Sequence, residues 1–104
     1  MQILKFTVNN KKIVKDPANP AINPNEDVTL QFIFSKEWDG MVKVAGFTRG
    51  ANEFDPQPLL HGSSCIVPKE ALKGSFFRLY VLGKAGEERL QTNRVIINVK
   101  GGNV

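Results

Sequence analysis

Residues 28–47 read VTLQFIFSKEWDGMVKVAGF, and the reading of this stretch decides the fold. Val28, Leu30, Phe32 and Phe34 alternate with Thr29, Gln31 and Ser35. A period of two puts each set on its own side of an extended chain, so a strand with one buried face is expected. Asp39-Gly40 supplies a tight reversal, with Gly40 free to take a positive φ. Met41 to Arg49 then reads as the next strand, with small residues at Ala45 and Gly46. Trp38, the only tryptophan, falls at the corner between the two. It is either a plug over the end of the core or an exposed docking residue. The corner geometry favours the plug, which gives Trp38, Asp39 and Gly40 a structural role.

Outward from this pair the same pattern recurs. Leu4, Phe6 and Val8 alternate with Lys5 and Thr7, and Asn9-Asn10 turns the chain into Lys12-Ile13-Val14. Residues 16–27, DPANPAINPNED, hold three prolines and three asparagines, a composition for an extended loop rather than a central strand. Beyond Arg49, a strand interrupted by Pro56 and Pro58 leads to the His61-Gly62 turn and Ser64 to Val67. PKEALKG, residues 68–74, carries the one helix signal, with proline at its start and glycine at its end. Phe76 to Leu82 is an apolar strand, Gly83-Lys84-Ala85-Gly86 a turn, and Glu88 to Thr92 and Arg94 to Lys100 complete the series. Short strands with turn signals about every ten residues predict an all-β domain. The expected fold is a single antiparallel β-sandwich, immunoglobulin-like, of about seven or eight strands with at most one short helical turn. It spans residues 1–100, and residues 101–104 are expected to be a flexible tail or the start of a linker.

The 104 residues suit one domain, and 41% hydrophobic with 23% charged residues is ordinary for a packed core under a wet surface. No apolar run is long enough for a helix across a bilayer, so no membrane is expected as partner. The opening MQILKFTVNN lacks a basic stretch followed by a long apolar one, and no signal peptide is expected. The lone Cys65 has no partner for an internal disulfide and reads as a small core residue.

Chemistry is sparse. His61 is the single histidine and lacks a nucleophile motif beside it. The acidic pairs Glu26-Asp27, Glu37 with Asp39, Glu53 with Asp55, and Glu87-Glu88 each sit beside a turn, where carboxylates serve solubility. GKAGE lacks the spacing of a phosphate loop. No catalytic residue, cofactor or metal is expected. The net charge of +4 is spread from Lys5 to Lys100, without the basic stripe of a nucleic-acid binder. Tyr80 shares a strand face with Arg78 and Phe76, two aromatics and a cation, and is one candidate contact point. The other is the stiff loop, through Asn19, Pro20, Asn23 and Pro24.

KEWDG, CIVPKEAL and the closing TNRVIINVKGG, in this order along nearly the whole chain, carry a further signal. Together they resemble the small β-sandwich domains of bacteriophage structural proteins, in tail, baseplate or head-fibre components. The resemblance implies a non-enzymatic domain that attaches or assembles a virion appendage. Its partners would be other virion proteins and copies of itself, and its location the virion, after synthesis in the cytoplasm of the bacterial host. Nucleic acid is not among the expected partners. The alternatives are a carbohydrate-binding module, for which Trp38 and Tyr80 would supply the flat rings, and a basic single-strand nucleic-acid binder.

Overall fold

A computed structural model describes residues 2–100. The expected tail at 101–104 lies outside the described residues. Ten strands are present among the described residues: β1 (Gln2–Asn9), β2 (Lys12–Lys15), β3 (Val28–Phe34), β4 (Val42–Arg49), β5 (Asn52–Glu53), β6 (Gln57–Pro58), β7 (Ser64–Ile66), β8 (Phe76–Ala85), β9 (Glu88–Gln91) and β10 (Val95–Asn98). Two 3-10 turns, Lys36–Trp38 and Lys69–Lys73, join them. The fold is all-β, in two mostly antiparallel sheets.

The first sheet has the order β2-β1-β3-β7, the second β10-β8-β4-β5, with β6 beside β4 and β9 beside β8. One strand pairing departs from the antiparallel expectation. β1 and β3 run parallel, from Gln2 opposite Val28 to Val8 opposite Phe34. The reason lies in the chain between them. β2 takes one edge of β1, so the chain must cross to the other edge before β3 begins, and parallel neighbours need a crossover of about a dozen residues. Residues 16–27 are that crossover.

The alternation read from the sequence sorts the side chains as expected. Leu4, Phe6, Val8, Ile13, Val28, Leu30 and Phe32 of the first sheet are buried in one core cluster with Ala45, Phe47, Phe77, Leu79, Val81 and Ile97 of the second. Phe6, Phe32, Phe34 and Trp38 form a run of ring contacts, at successive centroid separations of 5.5, 5.7 and 5.2 Å. Trp38 is wholly buried at its end. Its Nε1–H donates to the Asn10 carbonyl at 2.6 Å, and its ring lies against Gly83 of β8, where an added Cβ would come within 2.7 Å. The tryptophan thus ties the β1–β2 hairpin of one sheet to a central strand of the other. Gly40 has φ +76°, the left-handed region that lets the corner turn without a Cβ clash.

Two turn positions differ from the expectation. β8 continues through Gly83 and Lys84 to Ala85, and the reversal is the two-residue Gly86-Glu87 loop, with Gly86 at φ +60°. A positive φ at the first loop residue alone matches the right-handed twist of a hairpin. Likewise Asn10, at φ +55°, with Lys11 makes the first hairpin turn, one residue later than read.

Candidate contact surface

The strand register fixes which side chains reach solvent from the second sheet. Along β8, Phe77, Leu79, Val81 and Gly83 face the core, so Phe76, Arg78, Tyr80, Leu82 and Lys84 face outward. β4 aligns Val42 with Lys84, Val44 with Leu82, Gly46 with Tyr80 and Thr48 with Arg78. On the far side of β8, β9 aligns Arg89 with Lys84 and Gln91 with Leu82. Pro58 of β6 extends the Leu82–Val44 row. The outer face therefore carries a row with two cations, Arg89–Lys84–Val42, next to the row Gln91–Leu82–Val44–Pro58, which is apolar from Leu82 onward.

Over this half of the sheet lies an open cavity of about 1050 Å³. Val42, Val44 and Leu82 form its apolar part, with Tyr80 at one end and Lys84 and Arg89 at the other. Val42 is 71% exposed and Leu82 38%, so hydrocarbon lies open to water here. A contiguous apolar depression of this kind marks a docking surface more often than bare sheet does. Lys11, from the first hairpin turn, adds a third cation to the lining, and no carboxylate contributes to it among the described residues.

Tyr80 lies flat across Gly46. A Cβ there would sit 2.2 Å from its Cζ, so only glycine admits the ring. The Arg94 guanidinium also lies over the Tyr80 ring, 4.9 Å from its centroid. Arg78 is drawn to Phe76, at 5.5 Å, and is not part of the cavity lining. The structure thus places the trio Phe76, Arg78 and Tyr80 on one outward face and brings Tyr80 alone into the cavity.

The loop residues lie elsewhere. The Asn19 side chain accepts from the Lys5 amide at 2.8 Å and donates to the Lys5 carbonyl at 2.8 Å. The backbone of Asn23 is held in the same two-bond manner by the Gln2 side chain. Between them Ile22 is fully buried, bridges Val99, and accepts at its carbonyl from the Lys100 amide. The loop is therefore folded onto the body rather than standing out as a projection, because Ile22 enters the core. Asn19 and Pro20 line a second, smaller depression of about 270 Å³ with Ile97 and Asn98; Asn23 and Pro24 do not. Since Asn98 pairs with Phe76 at the start of β8, this depression and the larger cavity lie toward opposite ends of that strand.

Three consecutive residues to which the sequence assigned no individual role tie together the segments around the cavity. Thr92 is buried; its hydroxyl accepts from the Val81 amide at 2.9 Å and donates to the Asn93 carbonyl at 2.8 Å. The Asn93 side chain accepts from the Ile13 amide, and its own amide donates to the Lys11 carbonyl, linking the sheets. Arg94 then covers Tyr80. Arg49 is also structural: it donates to the carbonyls of Glu70, Ala71 and Phe76 and covers the Phe54 ring.

The remaining reactive groups stay apart. His61 is exposed on a turn at φ +54°. Cys65 is buried on β7, and burial pushes its thiol up to about 12. No group of three or more His, Cys, Asp or Glu side chains gathers as a metal site among the described residues. Neither a protein-family model nor a curated protein sequence matches the chain.

Proposed function

We propose that the chain is a β-sandwich domain that builds rather than catalyses, contacting other proteins through the outer face of its second sheet. The open apolar cavity over Val42, Val44 and Leu82 carries this reading. Sheet faces that expose hydrocarbon in a depression lose water favourably when a partner covers them, at about 25 cal/mol per Å² of apolar area. The outer face of the first sheet is a weaker candidate. Its exposed rows Ile3–Thr29–Ile66 and Val14–Thr7–Ile33 are divided by the polar row Lys5–Gln31–Ser64, which interrupts any apolar patch.

The assembly we assign it to is a bacteriophage virion, as an attachment domain of a fibre, tail or head appendage made in the host cytoplasm. The resemblance of KEWDG, CIVPKEAL and TNRVIINVKGG supports this. The segments share a physical role: Trp38 joins the sheets, Cys65 and Val67 enter the core, and Thr92 and Asn93 pin the last connection. The carbohydrate alternative loses its largest ring, because Trp38 is buried.

The test is mass spectrometry of density-purified particles from a culture expressing the gene from its native phage. The domain is expected in particles at a fixed ratio to the other virion proteins. Its confinement to the soluble lysate would overturn the assignment.

A further inference from the structure

Resting on the reading of this face as a contact surface, we infer that the cavity receives an extended, acidic segment of a partner protein. Charge is the first ground. Lys84 and Arg89 are directly opposed across β8 and β9 on the outer face, and Lys11 joins them in the lining. Like charges in facing positions of a strand pair oppose one another. Neither Lys84 nor Arg89 forms an ion pair among the described residues. The nearest carboxylate along β9, Glu88, aligns with Ala85 and belongs to the opposite face of the hairpin. An anionic partner removes a repulsion that the domain itself leaves in place.

The second ground is the arrangement of apolar and cationic rows. Val44 and Leu82 lie one row from Lys84 and Arg89 on the same face. An extended chain crossing both rows must present hydrocarbon and carboxylate two residues apart, on the same side of its backbone. A peptide mixing acidic with β-branched residues does so; a uniformly charged polymer does not.

The third ground separates protein from single-stranded nucleic acid. Strand binders without sequence preference stack bases on exposed aromatic faces. Tyr80 is the one aromatic side chain among the described lining residues, and its ring already packs over Gly46 and against the Arg94 guanidinium, so no ladder of stacking faces is present. The cations here serve carboxylates beside hydrocarbon, not a stacked base ladder.

Fluorescence anisotropy on the intact chain tests the inference, with three labelled probes. These are a short capped peptide repeating Glu-Ser-Val-Ser, which sets Glu and Val on one side of an extended chain, the same peptide with Lys for Glu, and an oligo-dT strand. The acidic peptide is expected to bind best, more weakly as salt rises, and at least about tenfold more weakly to the Lys84→Glu/Arg89→Glu double variant. That variant alters two exposed side chains, and an unchanged melting curve separates lost binding from lost fold. It is further expected to gain affinity for the Lys peptide. Equal binding of the two peptides, indifference to the double substitution, or preferential binding of oligo-dT would overturn the inference. So would self-association of the parent chain that the double variant abolishes, since that assigns the cavity to a second copy. Presence of the domain in particles alongside failure of the peptide assay would leave the contact reading standing and remove only the acidic partner.

Discussion

Trp38 shows how much a single side chain does in a small all-β domain. It ends the run of rings through Phe6, Phe32 and Phe34, gives its one polar hydrogen to the Asn10 carbonyl, and fills the space that Gly83 leaves open. Trp38→Ala is expected to cost about 3–5 kcal/mol, because the cavity left in a core shared by both sheets collapses only in part. Chemical denaturation followed by circular dichroism measures this; a midpoint equal to the parent's would contradict the account. Cys65 gives a second expectation at this scale. Its thiol is pushed up to about 12 by burial, whereas the unfolded chain releases that proton near the ordinary value of 9.0. Above pH 9 the unfolded state therefore binds fewer protons, so stability falls with rising pH, while below pH 9 the group contributes no slope. Cys65→Ala is expected to flatten that part of the pH–stability curve relative to the parent. The native thiol is also expected to resist alkylation at pH 8 until the protein unfolds. Trp38 was readable from its place at a corner; the Thr92–Arg94 roles were not, since their hydrogen bonds join segments distant along the chain.

Among the elements, the 16–27 loop changes meaning most between sequence and structure. Its prolines correctly indicate an extended path without ladder donors, but the sequence does not state where that path leads. The parallel β1–β3 pair supplies the answer, since it requires a crossover, and the crossover carries Ile22 into the core. Asn19 holds the crossing chain to the Lys5 backbone through two hydrogen bonds. Asn19→Ala is expected to cost about 1–2 kcal/mol, the net worth of two such bonds. Thermal melts check this, and a loss of partner binding at unchanged stability would return the loop to a docking role. The strand periodicities at Leu4–Val8 and Val28–Phe34 were legible because one face is buried. The end of β8 was not: Gly83-Lys84-Ala85-Gly86 has turn composition, yet Gly83 is there to admit the Trp38 ring and the reversal waits for Gly86. That misplaced turn hides Lys84, and with it the pairing with Arg89 that defines the cationic row.

At the scale of the whole molecule, two sheets sharing one core leave two outer faces, and the distribution of exposed side chains distinguishes them. Tyr80 and Arg78 were visible in the sequence as neighbours on one face, whereas the cavity beside them arises from β4, β6, β8 and β9 together and has no local signature. The central claim is that the second sheet, not the first, meets the partner. Val42 on one face and Ile33 on the other are each 71% exposed, which makes them a matched pair of probes. A photo-crosslinking amino acid placed at each position in turn, followed by irradiation of assembled particles and mass spectrometry, compares the two faces directly. The account predicts a crosslink to another virion protein from position 42 and none from position 33; crosslinking from position 33 alone would contradict it.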